Sequence, residues 1–265
     1  MVETLLRRDR IIIALALALL TLLAWWGLLQ GAGTGMSVAA MTTWQFPPPR
    51  VTPSPGAWNV GYWLAMLAMW WIMMIAMMTP SAAPMILLHA RVARHGGGQA
   101  TSDNSLGSNA AFAAGYLVCW LGFSVIAVAI QFVLETLGLL DGMTMWSVNA
   151  WLTGGLFLAA AFYQLSPIKT ACLDHCRSPA YFLAQHRRPG QLGAFRMGLV
   201  HGAHCVGCCW VLMLLLFAAG IMNLVWIAGL TAFILVEKLL PFGAKLAPVT
   251  AALLAGAGLY AILAA

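Results

Sequence analysis

Residues 58–78 read WNVGYWLAMLAMWWIMMIAMM, 21 residues without a charge, six of them methionine. Crossing a hydrocarbon core about 30 Å thick takes about 20 mostly apolar residues in a helix, and this stretch has that length. In a soluble protein such a helix would need a polar shell around it. The chain has none to offer: 62% of its 265 residues are hydrophobic and 8% are charged, against about 25% in soluble domains. The surface must therefore face lipid.

Working outward, six further apolar runs follow the same rule. The expectation is an all-α polytopic membrane protein with seven transmembrane helices, forming one domain over residues 1–265. The helices are expected over about 11–29, 58–89, 110–139, 146–165, 198–219, 222–240 and 245–265. The first follows Arg7, Arg8 and Arg10 and could pass for a signal peptide. Its apolar core is longer than a typical h-region, and Trp25, Trp26 and Gln30 stand where a small-residue cleavage site belongs, so it reads as a retained helix. The prolines of Gln45–Pro55 mark an exterior loop, Gly96–Ser108 a second loop, and Ser166–Arg196 a polar, basic segment.

Charge sets the orientation. With seven spans and the N-terminus inside, 12 of the 13 Lys and Arg fall on one side and only Arg50 on the other. The positive-inside rule makes that side the cytoplasm, with the C-terminus on the opposite, exterior side. The net charge of +6 then reports topology, not a nucleic-acid partner. No Walker motif, dinucleotide fingerprint or His-Glu-x-x-His is present, so ATP-driven pumping and zinc proteolysis lack a basis.

The densest chemistry lies in His201-Gly-Ala-His204-Cys205-Val-Gly-Cys208-Cys209-Trp210. Residues three and four apart share a helix face, which gathers Cys205, Cys208 and Cys209 with His201 and His204 one turn before. From a helix start near Gly198 the thiols lie on the order of 10–16 Å in, within the inner leaflet. One buried Cys is usually a small hydrophobe; three on one face with two His read as a site. Cys172 and Cys176, spaced i, i+4 after the fourth run, form a second pair on the cytoplasmic side, where thiols stay reduced and serve metal or redox chemistry. Cys119 has no partner in sequence and reads as packing. Glu135 and the adjacent Glu237 and Lys238 read as interfacial or paired charges. Trp25, Trp26, Trp44, Trp58, Trp63 and Trp146 fit an aromatic belt.

Met66, Met69, Met73 and Met77 form a stripe on the second run, flanked by Met74 and Met78. Alone it reads as core packing. Beside thiolates it changes meaning, because thioether and thiolate together select Cu(I).

The segment Met73-Met74-Ile-Ala-Met77-Met78-Thr-Pro80-Ser-Ala-Ala-Pro84-Met85 resembles a signature of a bacterial membrane family long catalogued as of unknown function. The family is described as predicted metal-binding integral membrane proteins, some of them as copper chaperones. The likeness continues through Gly115-Tyr116, Tyr163-Gln164-Leu-Ser-Pro167-Ile-Lys169, Cys172 to Pro179, Gly202 to Met213, Gly220 to Trp226 and Glu237-Lys238. It spans about Trp70 to Leu240, and it implies copper handling, including delivery to a copper enzyme.

The functional expectation is thus a Cu(I)-binding membrane chaperone or conduit, not an enzyme. Its metal ligands would come from Cys205, Cys208, Cys209, His201, His204, Met73, Met77 and Met78, with Cys172 and Cys176 as an entry or exit site. Its partners would be the copper ion, the bilayer and a recipient copper protein. Two rivals stand beside it. One is a thiol–disulfide oxidoreductase in which Cys205 and Cys208 cycle and Cys172 or Cys176 resolves. The other is a structural or assembly subunit.

Overall fold

A computed structural model of the chain describes residues 2–35, 37–49, 51–54, 56–95, 102–186, 188–240 and 242–264. The expected loop around Gly97 and the charges Arg50 and Arg187 lie outside the described residues, as do the side chains of Arg7, Arg8, Arg10 and Arg94. The fold is all-α, and among the described residues the only β pairing is an isolated bridge between Leu140 and Ser147.

In chain order the helices are α1 (Val2–Leu29), α2 (Val60–His95), α3 (Ser102–Thr136), α4 (Ala150–Gln164), α5 (Pro167–Arg177), α6 (Pro179–His186), α7 (Gly190–Ala219), α8 (Leu224–Leu239) and α9 (Ala247–Leu263). A 3-10 turn at Gly243–Leu246 leads into α9. Each of the seven expected segments coincides with a helix. Four stretches are long and apolar enough to cross a membrane: Ile11–Leu29, Val60–Ala93, Leu106–Thr136 and Gly190–Ala219. A fifth arises if α4 and α5, bent by 65° at their junction, are counted as one span. The bend has a local cause: Ser166 caps α5 by accepting from Ile168 N at 3.1 Å, and Pro167 cannot continue the hydrogen bonding of α4.

Several boundaries differ from the sequence reading: α2 runs on to His95, past the expected 89, and α3 stops at Thr136, short of the expected 139. Residues 102–108, expected as loop, open α3. Residues 146–149, expected to open a helix, precede it, with the extended Asn149 capping α4 through Leu152 N at 3.0 Å. The polar, basic stretch 166–196 forms α5, α6 and the first turns of α7, which begins at Gly190 and not near Gly198. The thiols of α7 therefore lie about 22–29 Å from its start, near the middle of the helix.

α7 is the centre of the bundle and packs against α3, α4, α5 and α8. The α3–α7 crossing is close because it is made by glycine. A Cβ at Gly115 would collide with Phe195 O, and one at Gly198 with Phe112 O, the small-residue logic of helix association in lipid. α1 instead lies outermost, packed on α2, and exposes Ile11, Leu15, Leu19, Leu22, Leu23 and Trp26. The α3–α4 connection folds over the far ends of α2 and α3. There Asp141 accepts from the amide and hydroxyl of Ser54, both at 2.9 Å, and of Thr144, both at 2.7 Å. Burial pushes the Asp141 carboxyl up, but these four donors outweigh it and hold the group below its ordinary range.

Candidate metal centre

Five helices converge on one group of thiols. Cys205 Sγ, buried midway along α7, receives Lys238 Nζ of α8 at 2.9 Å and lies 3.1 Å from the Tyr116 hydroxyl of α3. The same hydroxyl is 3.1 Å from the Met78 carbonyl of α2, so its single proton serves either the carbonyl or the sulfur. One turn on, the thiols of Cys208 and Cys209 each donate back to Cys205 O at 3.0 Å, the expected result of i, i+3 and i, i+4 spacing. Cys209 Sγ stands 4.0 Å from Met78 Sδ. From α5, the Cys176 side chain interacts with the thiols of Cys205 and Cys208.

Four thiols and a thioether thus gather in a buried space with one fixed cation. Lys238 lies within electrostatic reach of Cys176, Cys205, Cys208 and Cys209 and is 3.4 Å from Ser81 Oγ. All six cysteines are free. Cys208 and Cys209 aim at the Cys205 carbonyl, and among the described residues no three His, Cys, Asp or Glu side chains converge as a ready coordination sphere. Ligation would require their sulfurs to turn inward.

The other expected ligands divide. Cys172 sits beside the α7 backbone, where a Cβ at Gly207 would come within 2.7 Å of its sulfur. Both α5 cysteines therefore face α7, as their i, i+4 spacing implies. His201 is buried among Phe112, Phe182 and Tyr116, with ring centroids 6.0, 5.4 and 5.7 Å away, and its Nδ1 has no hydrogen-bond partner. Such an orphaned buried nitrogen fits a ligand position. His204 points elsewhere: its Nδ1 bonds Val200 O at 2.8 Å and its ring stacks on His175 at 4.3 Å. On α2, Met78 is the thioether at the thiols, while Met73 and Met77 are fully buried on the same helix. Cys119 packs against Gly202 of α7, close to the cluster.

Lys238 is the residue whose partner the sequence reading left open, as an interfacial or paired charge beside Glu237. Adjacent helical residues point about 100° apart, and Glu237 turns to Lys169 of α5 instead, at 2.7 and 2.8 Å. A lysine within an apolar helix was the available signal.

A family model described as copper chaperone (PpoB2) matches residues 67–261, well over half of the chain. The chain belongs to this copper chaperone family. The matched span contains all six cysteines, Met73, Met77, Met78, Tyr116 and Lys238 of the copper chaperone relative described here. No curated protein and no solved structure matches.

Proposed function

We propose that this protein binds Cu(I) in the membrane interior through thiolate and thioether sulfur and hands it to a recipient copper protein. The observation that carries the reading is the gathering of Cys176, Cys205, Cys208, Cys209 and Met78 around the buried Lys238. Soft sulfur donors favour Cu(I) over harder ions. Two thiolates on Cu(I) leave one negative charge, which is costly to bury alone. The Lys238 ammonium supplies the compensating charge at the right depth. His201 Nδ1 and Met73 or Met77 are the reserve donors, and Cys172 with the half-buried His204 would form the step toward the helix surface.

X-ray absorption of the Cu(I)-loaded protein tests this. A first shell dominated by sulfur, at about 2.3 Å by analogy with zinc thiolates, is expected; an oxygen and nitrogen shell would remove the reading. One observation favours a second reading. A lysine against Cys205 also suits a nucleophilic thiolate, which could form a disulfide with Cys208 or Cys176. Met78 has no role in that chemistry. A reversible disulfide in a protein that takes up no copper would put the oxidoreductase first.

The same proposal includes seven crossings within one domain of the bacterial inner membrane, by α1, α2, α3, α4, α7, α8 and α9. The N-terminus is cytoplasmic and the C-terminus periplasmic. Cysteine introduced at Pro48 should be labelled from outside intact cells, and cysteine at Gly97 or Arg187 should not. Outside labelling of the Arg187→Cys variant would reverse the orientation.

A further inference from the structure

Away from the thiols, at the end of α3 that packs on Trp58, the structure buries a polar group that the sulfur cluster does not use. Glu135, near the end of α3, is 3% exposed. Its Oε2 accepts from Trp58 Nε1 at 2.8 Å and from Gly56 N at 3.3 Å, and its Oε1 accepts from Gln131 Nε2 at 2.9 Å. Gln131 is fully buried as well. Its Oε1 accepts from Trp70 Nε1 at 2.9 Å, and its Nε2 also stands 3.5 Å from Met66 Sδ. Among the described residues no Lys, Arg or His pairs with the Glu135 carboxyl. The turns above it are shaped to approach it: a Cβ at Gly56 or Gly142 would come within 2.8 or 3.2 Å of Oε2. An ionisable group within a membrane helix, matched only by neutral donors, is a binding-site candidate.

A row of thioethers joins this group to the thiols. Met66, Met69, Met73 and Met77 follow at spacings of three, four and four, with Met74 and Met78 beside them, and all six are fully buried. From Met66 to Met78 the helix rises about 18 Å. The first methionine touches Gln131 and the last touches Cys209.

We propose that Glu135, Gln131 and Met66 form an outer loading site for Cu(I), from which the methionine row leads the ion to the thiols. One carboxyl matches the single charge of the ion and the Met66 thioether matches its softness. The ion keeps its oxidation state throughout, so no electron donor or acceptor is needed. The cargo rests on the copper reading above; the site itself rests on its own residues.

Titration of the purified, reduced full chain in detergent with Cu(I) buffered by a chromophoric chelator separates the two. Two components are expected: a tight one with thiolate-to-copper absorption, removed by Cys205→Ser with Cys208→Ser, and a weaker one without it. Met66→Leu, nearly volume-conserving and so safe for the fold, should weaken only the second, by about tenfold or more. Glu135→Gln should do the same. A wild-type protein without the second component, or a second component unchanged in both variants, overturns the loading site while leaving the thiol site standing. If the thiolate absorption is absent but a copper component sensitive to Met66→Leu remains, the loading site holds and the thiol reading falls.

Discussion

Two buried lysines, one turn of chemistry apart, show how the same side chain is put to different ends. Lys169 of α5 donates to both oxygens of Glu237 and to Gln164 Oε1. Gln164 Nε2 returns a bond to Glu237 Oε1 at 2.6 Å and reaches Thr250 Oγ1 at 2.9 Å. That network is closed, with charge cancelled and donors satisfied, and it ties α4, α5, α8 and α9 together. Lys238, the next residue after Glu237, finds no carboxylate among the described residues. It faces Cys205 Sγ and Ser81 Oγ, with three more thiols in reach. A carboxylate partner makes a fixed strut. A thiol partner can exchange its proton for a soft metal, and so the second lysine sits where chemistry is possible.

The largest effect that separates them is on stability. Glu237→Ala strands the Lys169 ammonium in the interior, and breaking a buried pair costs about 3–5 kcal/mol. Thermal unfolding in detergent should fall by on the order of 10 °C, while the folded fraction still binds copper. Lys169→Met with Glu237→Leu should recover most of the loss. An unchanged melting temperature in Glu237→Ala would show that this network is not a strut.

Next in size is the effect on binding. Lys238→Met strands no charge, because thiols left without the ammonium can remain neutral, so melting should move far less than in Glu237→Ala. Cu(I) affinity should drop by about tenfold or more, equivalent to about 1.4 kcal/mol, because the copper–thiolate charge loses its counter-ion. If Lys238→Met melts as low as Glu237→Ala and binds copper as well as wild type, both lysines are structural and the comparison collapses.

These two residues also mark how far the sequence could be read. Apolar length was enough to place a helix at each expected segment, though four or five of them are long enough to cross a membrane, and i, i+3 and i, i+4 spacing was enough to put Cys205, Cys208 and Cys209 together. Reading Glu237 and Lys238 as interfacial or paired charges left their partners open, since neighbours on a helix face different elements and only the packing of α5 and α7 decides them. The same limit hid the surroundings of Glu135, whose indole and backbone amide donors come from 77 and 79 residues away in sequence. Tyr116 stood in the family resemblance, but nothing in the sequence placed its hydroxyl on Cys205. The start of α7 was set too late, near Gly198, because the polar Gln191 and Arg196 interrupt the apolar run, and the helix begins at Gly190.

Metal analysis of the purified, reduced protein tests the central claim most directly. About one or two Cu(I) per chain should bind to the soft donors of the thiol centre and the methionine row. Cys208→Ser should lose most of the copper held by thiolate, and Cys119→Ser, whose sulfur packs against Gly202 at the edge of the cluster, should lose little. A protein that binds no Cu(I), or one in which Cys205→Ser and Cys208→Ser retain all of it, would contradict the account.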